Sequence, residues 1–480
     1  MYGKIPNAKK RSTPLETYRF FLYNSFRSYF RKGVKRIDIQ TPWQCCDDQT
    51  FCHIPKNNYE EHRCGRYREM KKRFIAAVLC VAVIIGSTLT GCMVSTKEEE
   101  ENKVDKSLLY GMDEPISEGE INGTWESSQV NGFSIETTTK LAGALGCKSF
   151  RFRLPAGFII APDQYSESGY AYLKKAIAGF HAEGVTNLIG NAMIFPQYTS
   201  FRPDTDKSVP RPTDDSYGEW LEAVSDMWEA IATLFPEITK WEVGNEFNSD
   251  VFFHPNGYIG VDGTLAEGSG GFTDEEQAIV VTDYMYYASK GLKKGNPDAK
   301  CVMPGIAPIG LSFRVVKYFL EDVYTYIESG NAPYGKEKST DPDDYFDYLG
   351  WHPYTSVVNK MWLNENNNIY KVAIAHGDEG KPVIFTEFGF TDRGDDNQQT
   401  AQCRYLEKAF EYMLNDMPYV ETCCEFRMYT CSYAELWGGV GEVYFGCISE
   451  KTDETGFSPR KKAYTIQKIY GGTGDLTKYE

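Results

Sequence analysis

Residues 240–248 read KWEVGNEFN, a run that alternates like a β-strand through Trp241 and Val243, breaks at Gly244 and sets Asn245 beside Glu246. Alternation sends successive side chains to opposite faces. A strand built this way has one face for packing and delivers a carboxylate at its end. Its neighbours decide whether that carboxylate is solvated or used.

Outward from this run, short β-rich segments alternate with amphipathic ones of helical period. The strand segments are Ile121–Trp125, Cys147–Leu154, Val185–Met193, Thr239–Gly244, Cys301–Met303, Phe346–Trp351, Val383–Glu387 and Val420–Tyr429. Helical patterns fall near 135–146, 168–183, 217–234, 274–293, 312–328, 357–376, 399–415 and 460–470. Eight strand–helix repeats without an intervening linker predict a single α/β domain, a (β/α)8 TIM barrel with long loops after its strands, over residues 108–480. An open doubly wound sheet is the alternative. It calls for a glycine-rich phosphate loop after the first strand, and neither GxGxxG nor GxxxxGK[ST] occurs.

Barrel chemistry sits at the C-terminal ends of the strands, which turns the strand list into candidate site residues. FRFRLP offers Arg151 or Arg153, of which Arg153 is assigned to the barrel mouth. The third strand offers Asn191, the fourth Asn245 and Glu246, the sixth His352 and Tyr354 from GWHPY. PVIFTEFGF ends the seventh on Glu387, and the eighth leads to Tyr429 and Trp437. Trp437 suits a sugar platform or a loop cap, and HPY suits a structural turn as well as a site. Trp220, Trp228 and Tyr284–Tyr287 lie on helical patterns and are assigned to the core. The acidic runs at 341–344 and 392–396 are expected to be solvated loops.

Glu246 and Glu387 stand three repeats apart, across the mouth from each other. Two carboxylates facing one cavity meet the needs of glycoside hydrolysis, in which one donates a proton to the leaving oxygen and the other attacks the anomeric carbon. WEVGNEFN followed by IFTEFGF resembles the superfamily of retaining β-glycoside hydrolases on (β/α)8 barrels that includes families 5 (cellulase) and 39 (xylosidase). The resemblance implies that Glu246 is the acid/base, Glu387 the nucleophile and Asn245 a hydrogen-bond partner of the sugar 2-hydroxyl. It also implies a poly- or oligosaccharide substrate with β-linkages, cleaved internally or from an end, and no cofactor or metal. Phe247 stands where many members have proline. A barrel that binds surface glycans without cleaving them is the alternative from another class.

The full chain has 480 residues and a formal charge of −16. Up to Cys92 there are 17 basic and seven acidic residues, and beyond it 34 against 60. So acidic a body repels nucleic acid and anionic membrane. Of the thirteen cysteines, seven follow Cys92, singly except for Cys423–Cys424, which is no disulfide framework. Met70 opens MKKRFIAAVLCVAVIIGSTLTGC, with Lys71, Lys72 and Arg73 before an apolar stretch from Phe74 to Ile85. Ending in LTGC, the segment resembles a bacterial lipoprotein signal peptide with its lipobox. That implies cleavage before Cys92, lipidation of that cysteine and an extracytoplasmic protein held to the cell membrane only by its lipid. A transmembrane anchor needs an apolar run of about 20 residues, longer than this one. Translation is accordingly expected to start at Met70, with residues 1–69 a mis-assigned upstream segment. The Cys45, Cys46, Cys52, His53, His62 and Cys64 cluster lacks paired zinc-ligand spacing. Residues 93–107, rich in charge, read as a disordered tether.

Overall fold

A computed structural model describes residues 104–478, apart from 117–119, 122–123, 126–133, 155–158, 162–163, 193–207, 250–251, 257–270, 309–311, 432–442 and 450–457. The signal-like segment, Cys92 and Trp437 lie outside the described residues. Eight parallel strands form the barrel: β1 (Tyr110–Asp113), β2 (Ser149–Arg153), β3 (Asn187–Asn191), β4 (Lys240–Glu242), β5 (Lys300–Val302), β6 (Leu349–Gly350), β7 (Val383–Phe388) and β8 (Val420–Phe426). Their hydrogen-bonded order is β5-β4-β3-β2-β1-β8-β7-β6. Parallel bridges Val302↔Tyr348 and Ile306↔Trp351 join the two ends of that row and close the barrel.

Eight helices follow the strands: α1 (Ile135–Leu145), α2 (Glu167–Ala182), α3 (Tyr217–Leu234), α4 (Asp274–Gly295), α5 (Phe313–Glu328), α6 (Lys360–Ala375), α7 (Asp396–Asn415) and α8 (Lys461–Tyr470). All eight coincide with the helical patterns of the sequence, and five of them start on a residue whose side chain caps the helix. Thr273 and Glu276 form a reciprocal capping box on α4, and Ser134, Ser166, Asn359 and Asp395 cap α1, α2, α6 and α7. Among the described residues no helix is long and apolar enough to cross a membrane.

The first strand differs from expectation. Glu120–Ile121 and Thr124–Trp125 pair antiparallel with each other instead, Glu120↔Trp125 and Ile121↔Thr124. The barrel strand is Tyr110–Asp113, which pairs with both β8 and β2. It is only four residues long, YGMD, and its glycine and aspartate hide the β signal. Gly111 is there because a Cβ would lie 2.8 Å from the Cys423 carbonyl oxygen.

Strand alternation sorts β4 into its two jobs. Trp241 points outward and packs against Trp228 of α3, ring centroids 6.0 Å apart, in space that Gly190 leaves open on β3. Truncating such a tryptophan costs about 3–5 kcal/mol. Lys240 and Glu242 point inward, into layers. At the closed end Lys240 pairs with Glu421, to which Tyr348 Oη donates at 3.1 Å. A small apolar layer of Ile189, Val302, Ile384 and Cys424 lies in the barrel interior. Trp220, Trp228, Tyr284 and Tyr287 are buried, as expected.

Both acidic runs have structural work rather than being merely solvated. Asp392 is fully buried against Arg460, Asp395 caps α7, and Asp343 accepts from Lys381 at 2.7 Å. Six of the seven described cysteines are buried. Of the two long loops after the third and fourth strands, the described parts meet as a short parallel pair, His254↔Ser208 and Pro255↔Val209.

Candidate active site

Gly244 ends β4 with φ of 129°, a conformation closed to other L-residues, and the Phe247 ring covers it so closely that a Cβ would lie 2.3 Å away. Phe247 itself is buried, stacked on Phe253 at 4.4 Å and edge-on to Tyr284 at 5.4 Å. Phe247 thus fixes the turn by packing. Between these two lies Glu246, a non-glycine residue at φ 52°, held there by its N–H on the Gly305 carbonyl at 2.9 Å and its carbonyl accepting from Ser249 N–H at 2.8 Å. Strain of this kind, about 1–3 kcal/mol, persists where the surroundings over-determine it and concentrates at functional sites.

Among the described residues, the ionisable partner of Glu246 is His352. The ring nitrogen Nδ1 lies 2.8 Å from Glu246 Oε1, and Nε2 lies 3.0 Å from Thr386 Oγ1. Gly305 makes room for this, since a Cβ there would lie 2.1 Å from Nε2. Burial pushes the His352 pKa down, but Glu387 and Glu246 outweigh it and the net shift is upward.

Glu387 is surrounded by donors instead. Its Oε1 accepts from Arg151 Nη1 at 2.7 Å and Arg153 Nη2 at 2.6 Å, and its Oε2 from Tyr354 Oη at 2.9 Å. Burial favours the neutral acid, yet His352, the two arginines and the Tyr354 hydroxyl hold the carboxyl well below the usual carboxylate range. One carboxylate oxygen of each glutamate and a ring nitrogen of His352 lie within 4.8 Å of one another. This trio has the donor set of a metal site. However, the cations already clustered on Glu387 oppose a second positive charge, and His352 is spent on Glu246 and Thr386.

Arg151 and Arg153 are two apart on β2, and a period of two puts both on the inner face. They are not alternatives: Arg153 sits at the mouth, half-buried, and Arg151 one layer down, fully buried. Arg151 is the hub of the site. It donates to Glu242 Oε2 at 2.6 Å, Asp113 Oδ1 at 3.0 Å and Asn245 Oδ1 at 2.7 Å besides Glu387. Asn245 is thereby turned so that its amide NH2 is the group left to donate to a ligand.

Two candidates take other roles. Asn191 is fully buried and donates to Glu242 Oε2 at 2.6 Å and to the Gly244 carbonyl at 2.7 Å, so it braces the end of β4 from below. Tyr429 is buried in the core, its hydroxyl 3.0 Å from Thr138 Oγ1, because three residues past the strand the chain has already turned away from the mouth. Sequence reasoning weighed Arg151 only as an alternative to Arg153, and it missed Glu242, Asp113, Thr386 and two half-buried rings, Phe426 and Phe445, beside Tyr354 at centroid distances of 6.3 and 5.8 Å. The repeated FRFR pattern carried the signal for Arg151. Phe445 lies far past the strand, where no periodicity marks it.

With this geometry in place, comparison with solved structures is informative. The β-glycosidase BGL167 matches with a TM-score of 0.52 at 15% identity, covering 77% of this chain and 97% of that one. The family 1 β-glucosidase from Thermotoga maritima matches with a TM-score of 0.50 at 13% identity, covering 78% and 99%. The fold is one that solved β-glycosidases share. No protein-family model matches the chain, and no curated protein does.

Proposed function

We propose that this protein is a retaining β-glycosidase of poly- or oligosaccharides, with Glu387 as nucleophile and Glu246 as acid/base. The observation that carries the proposal is the short approach of the two carboxylates, within 4.8 Å oxygen to oxygen. Retaining glycosidases hold the pair about 5–5.5 Å apart, whereas inverting ones need about 6.5–9.5 Å to admit water. The unequal environments support the roles: Glu387 is kept ionised by two arginines, and Glu246 has one partner that orients it.

In the first step Glu387 attacks the anomeric carbon while Glu246 gives its proton to the departing glycosidic oxygen. The new ester takes the negative charge from Glu387, and Arg151 stays in place because Asp113 and Glu242 still hold it. Water then gives its proton to Glu246 and attacks the same carbon, restoring Glu387 with overall retention. Asn245 binds the 2-hydroxyl through its amide NH2.

Glu387→Ala tests this directly on aryl β-glycosides. Hydrolysis is expected to vanish and to return with added azide as a glycosyl azide of inverted configuration. Wild type that binds β-glycans but cleaves none of a broad panel overturns the proposal in favour of a binding module. The segment from Met70 to Cys92 further supports an enzyme anchored outside the cytoplasm by lipid. A mature chain beginning at lipid-modified Cys92 is the expected mass, and one retaining Met1 overturns it.

A further inference from the structure

Residues 443–449, between β8 and α8, are tied down more heavily than a connection requires. Cys447 N–H donates to the Arg427 and Met428 carbonyls at 3.1 and 3.0 Å, Ile448 N–H to Met428 at 2.8 Å, and Cys431 N–H to Val443 at 3.2 Å. Two cations at the start of α8 hold the other side. Arg460 Nη1 donates to the Gly446 carbonyl at 2.6 Å and the Tyr444 carbonyl at 3.3 Å. Lys462 donates to the Phe445 carbonyl and, at 3.3 Å, to that of Phe390. Each cation is also matched to a buried carboxylate, Arg460 to both oxygens of Asp392 and Lys462, at 3.3 Å, to Glu425.

Burying two ion pairs costs desolvation that their attraction barely repays, so they are poor devices for stability. They fix position instead. Glycines allow the close approach, since a Cβ at Gly446 would lie 1.9 Å from Thr430 N and one at Gly389 2.1 Å from the Phe426 carbonyl oxygen. The side chain thus presented is Phe445. It is half-buried, 5.4 Å from the Phe426 ring and 5.8 Å from that of Tyr354, whose hydroxyl holds Glu387.

We infer that Phe445 is a specificity-determining residue for the sugar whose anomeric carbon Glu387 attacks: with Phe426 and Tyr354 it walls the C5 end of that ring and selects a neutral sugar that carries a C6 carbon. This rests on the glycosidase proposal. The anomeric carbon has two ring neighbours, C2 and the ring oxygen. With the 2-hydroxyl at Asn245 beyond β4, the C5 end runs the other way across the mouth, towards β8 four strands on. There it meets three aromatic rings. The cations behind them, Arg460 and Lys462, face backbone carbonyls and their own carboxylates, so neither offers a uronate a partner in return for its lost hydration.

The test uses 4-nitrophenyl β-glycosides of one ring configuration: a hexoside, the pentoside lacking C6 and the uronide. Wild type is expected to prefer them in that order. Phe445→Ala is expected to lower the hexoside-to-pentoside ratio of kcat/KM by roughly tenfold, the scale of one methylene-sized contact. Phe445→Arg, which keeps a flat group against the rings, is expected to raise the uronide-to-hexoside ratio by a similar factor, and it carries the test should the alanine variant not fold. Active wild type with neither ratio moved overturns the inference alone. So does an equal fall on all three substrates with a lowered Tm, the mark of a structural role. Wild type inert on the whole panel overturns the glycosidase proposal and this inference together.

Discussion

The two ends of the barrel are both closed by charge, and they use it in opposite ways. At the closed end the charges are paired off: Lys240 meets Glu421, Tyr348 completes that carboxylate, and Lys106 donates to the carbonyls of Met413, Met417 and Val420. At the mouth the sharing is uneven. Glu387 takes three donors from Arg151, Arg153 and Tyr354, Glu246 leans on His352 alone, and Asp113 Oδ2 is buried with no hydrogen-bond partner among the described residues. Even pairing holds a structure together. Uneven pairing separates the behaviour of two like groups, which is what acid–base chemistry needs.

The largest expected effect that separates the ends is on turnover. Glu246→Gln is expected to lower kcat about 10²–10⁴-fold for glycosides with poor leaving groups, and much less for activated aryl leaving groups that need no proton. A loss independent of the leaving group breaks the assignment. At the other end, Lys240→Met strands Glu421 and is expected to cost about 3–5 kcal/mol of stability while leaving kcat unchanged. Chemical denaturation together with steady-state kinetics on the same sample checks both halves. A fall in kcat at constant KM would mean that the closed end communicates with the site.

Tyr354→Phe removes one donor from the charged Glu387, a contact worth about 1.5–3 kcal/mol. A 10- to 100-fold drop in kcat with little change in Tm is expected. The smallest effect concerns pH. Burial pushes the Asp113 carboxyl up to about 6, against the attraction of Arg151 and Arg153. The unfolded chain releases that proton near 3.9, so between about pH 4 and 6 the folded state binds more protons and this group's contribution falls as pH rises. Glu387, held low, acts with the opposite sign, its contribution being lost as acid is added. Asp113→Asn should therefore flatten the decline in stability between about pH 4 and 6, and an unchanged slope in urea titrations across that range rules Asp113 out as its source.

Much of this was legible in the sequence where period and chemistry agree. All eight helices were, through their amphipathic period, which cap residues reinforce in five of them. The two glutamates stood out because each ends a strand of a countable series. Legibility failed where one signal was missing. YGMD is too short and too polar to announce the first strand, and the apolar β pattern at 121–125 outweighs it. Arg151 and Arg153 looked like alternatives although a period of two makes them companions. The β-rich run that reaches Tyr429 outlasts the strand, which ends at Phe426, and nothing in its period marks where the backbone turns. Asn191 was correctly set inside the barrel, but a layer too high. Phe445 could not be found at all, since only the tertiary contacts of its loop bring it to Tyr354.

The contact between Gly244 and Phe247 has an evolutionary consequence. Where proline fixes a turn, its ring acts locally and the residues around it vary freely. Here the turn is fixed by two residues that interlock, one needing no side chain and the other filling the space above it. Replacing Gly244 first produces a clash, and replacing Phe247 first leaves a void against Phe253 and Tyr284. Single steps away from the pair are therefore deleterious, and their joint effect should be strongly non-additive in a double-mutant cycle. The two positions therefore act as one unit, which tolerates change only when both change together.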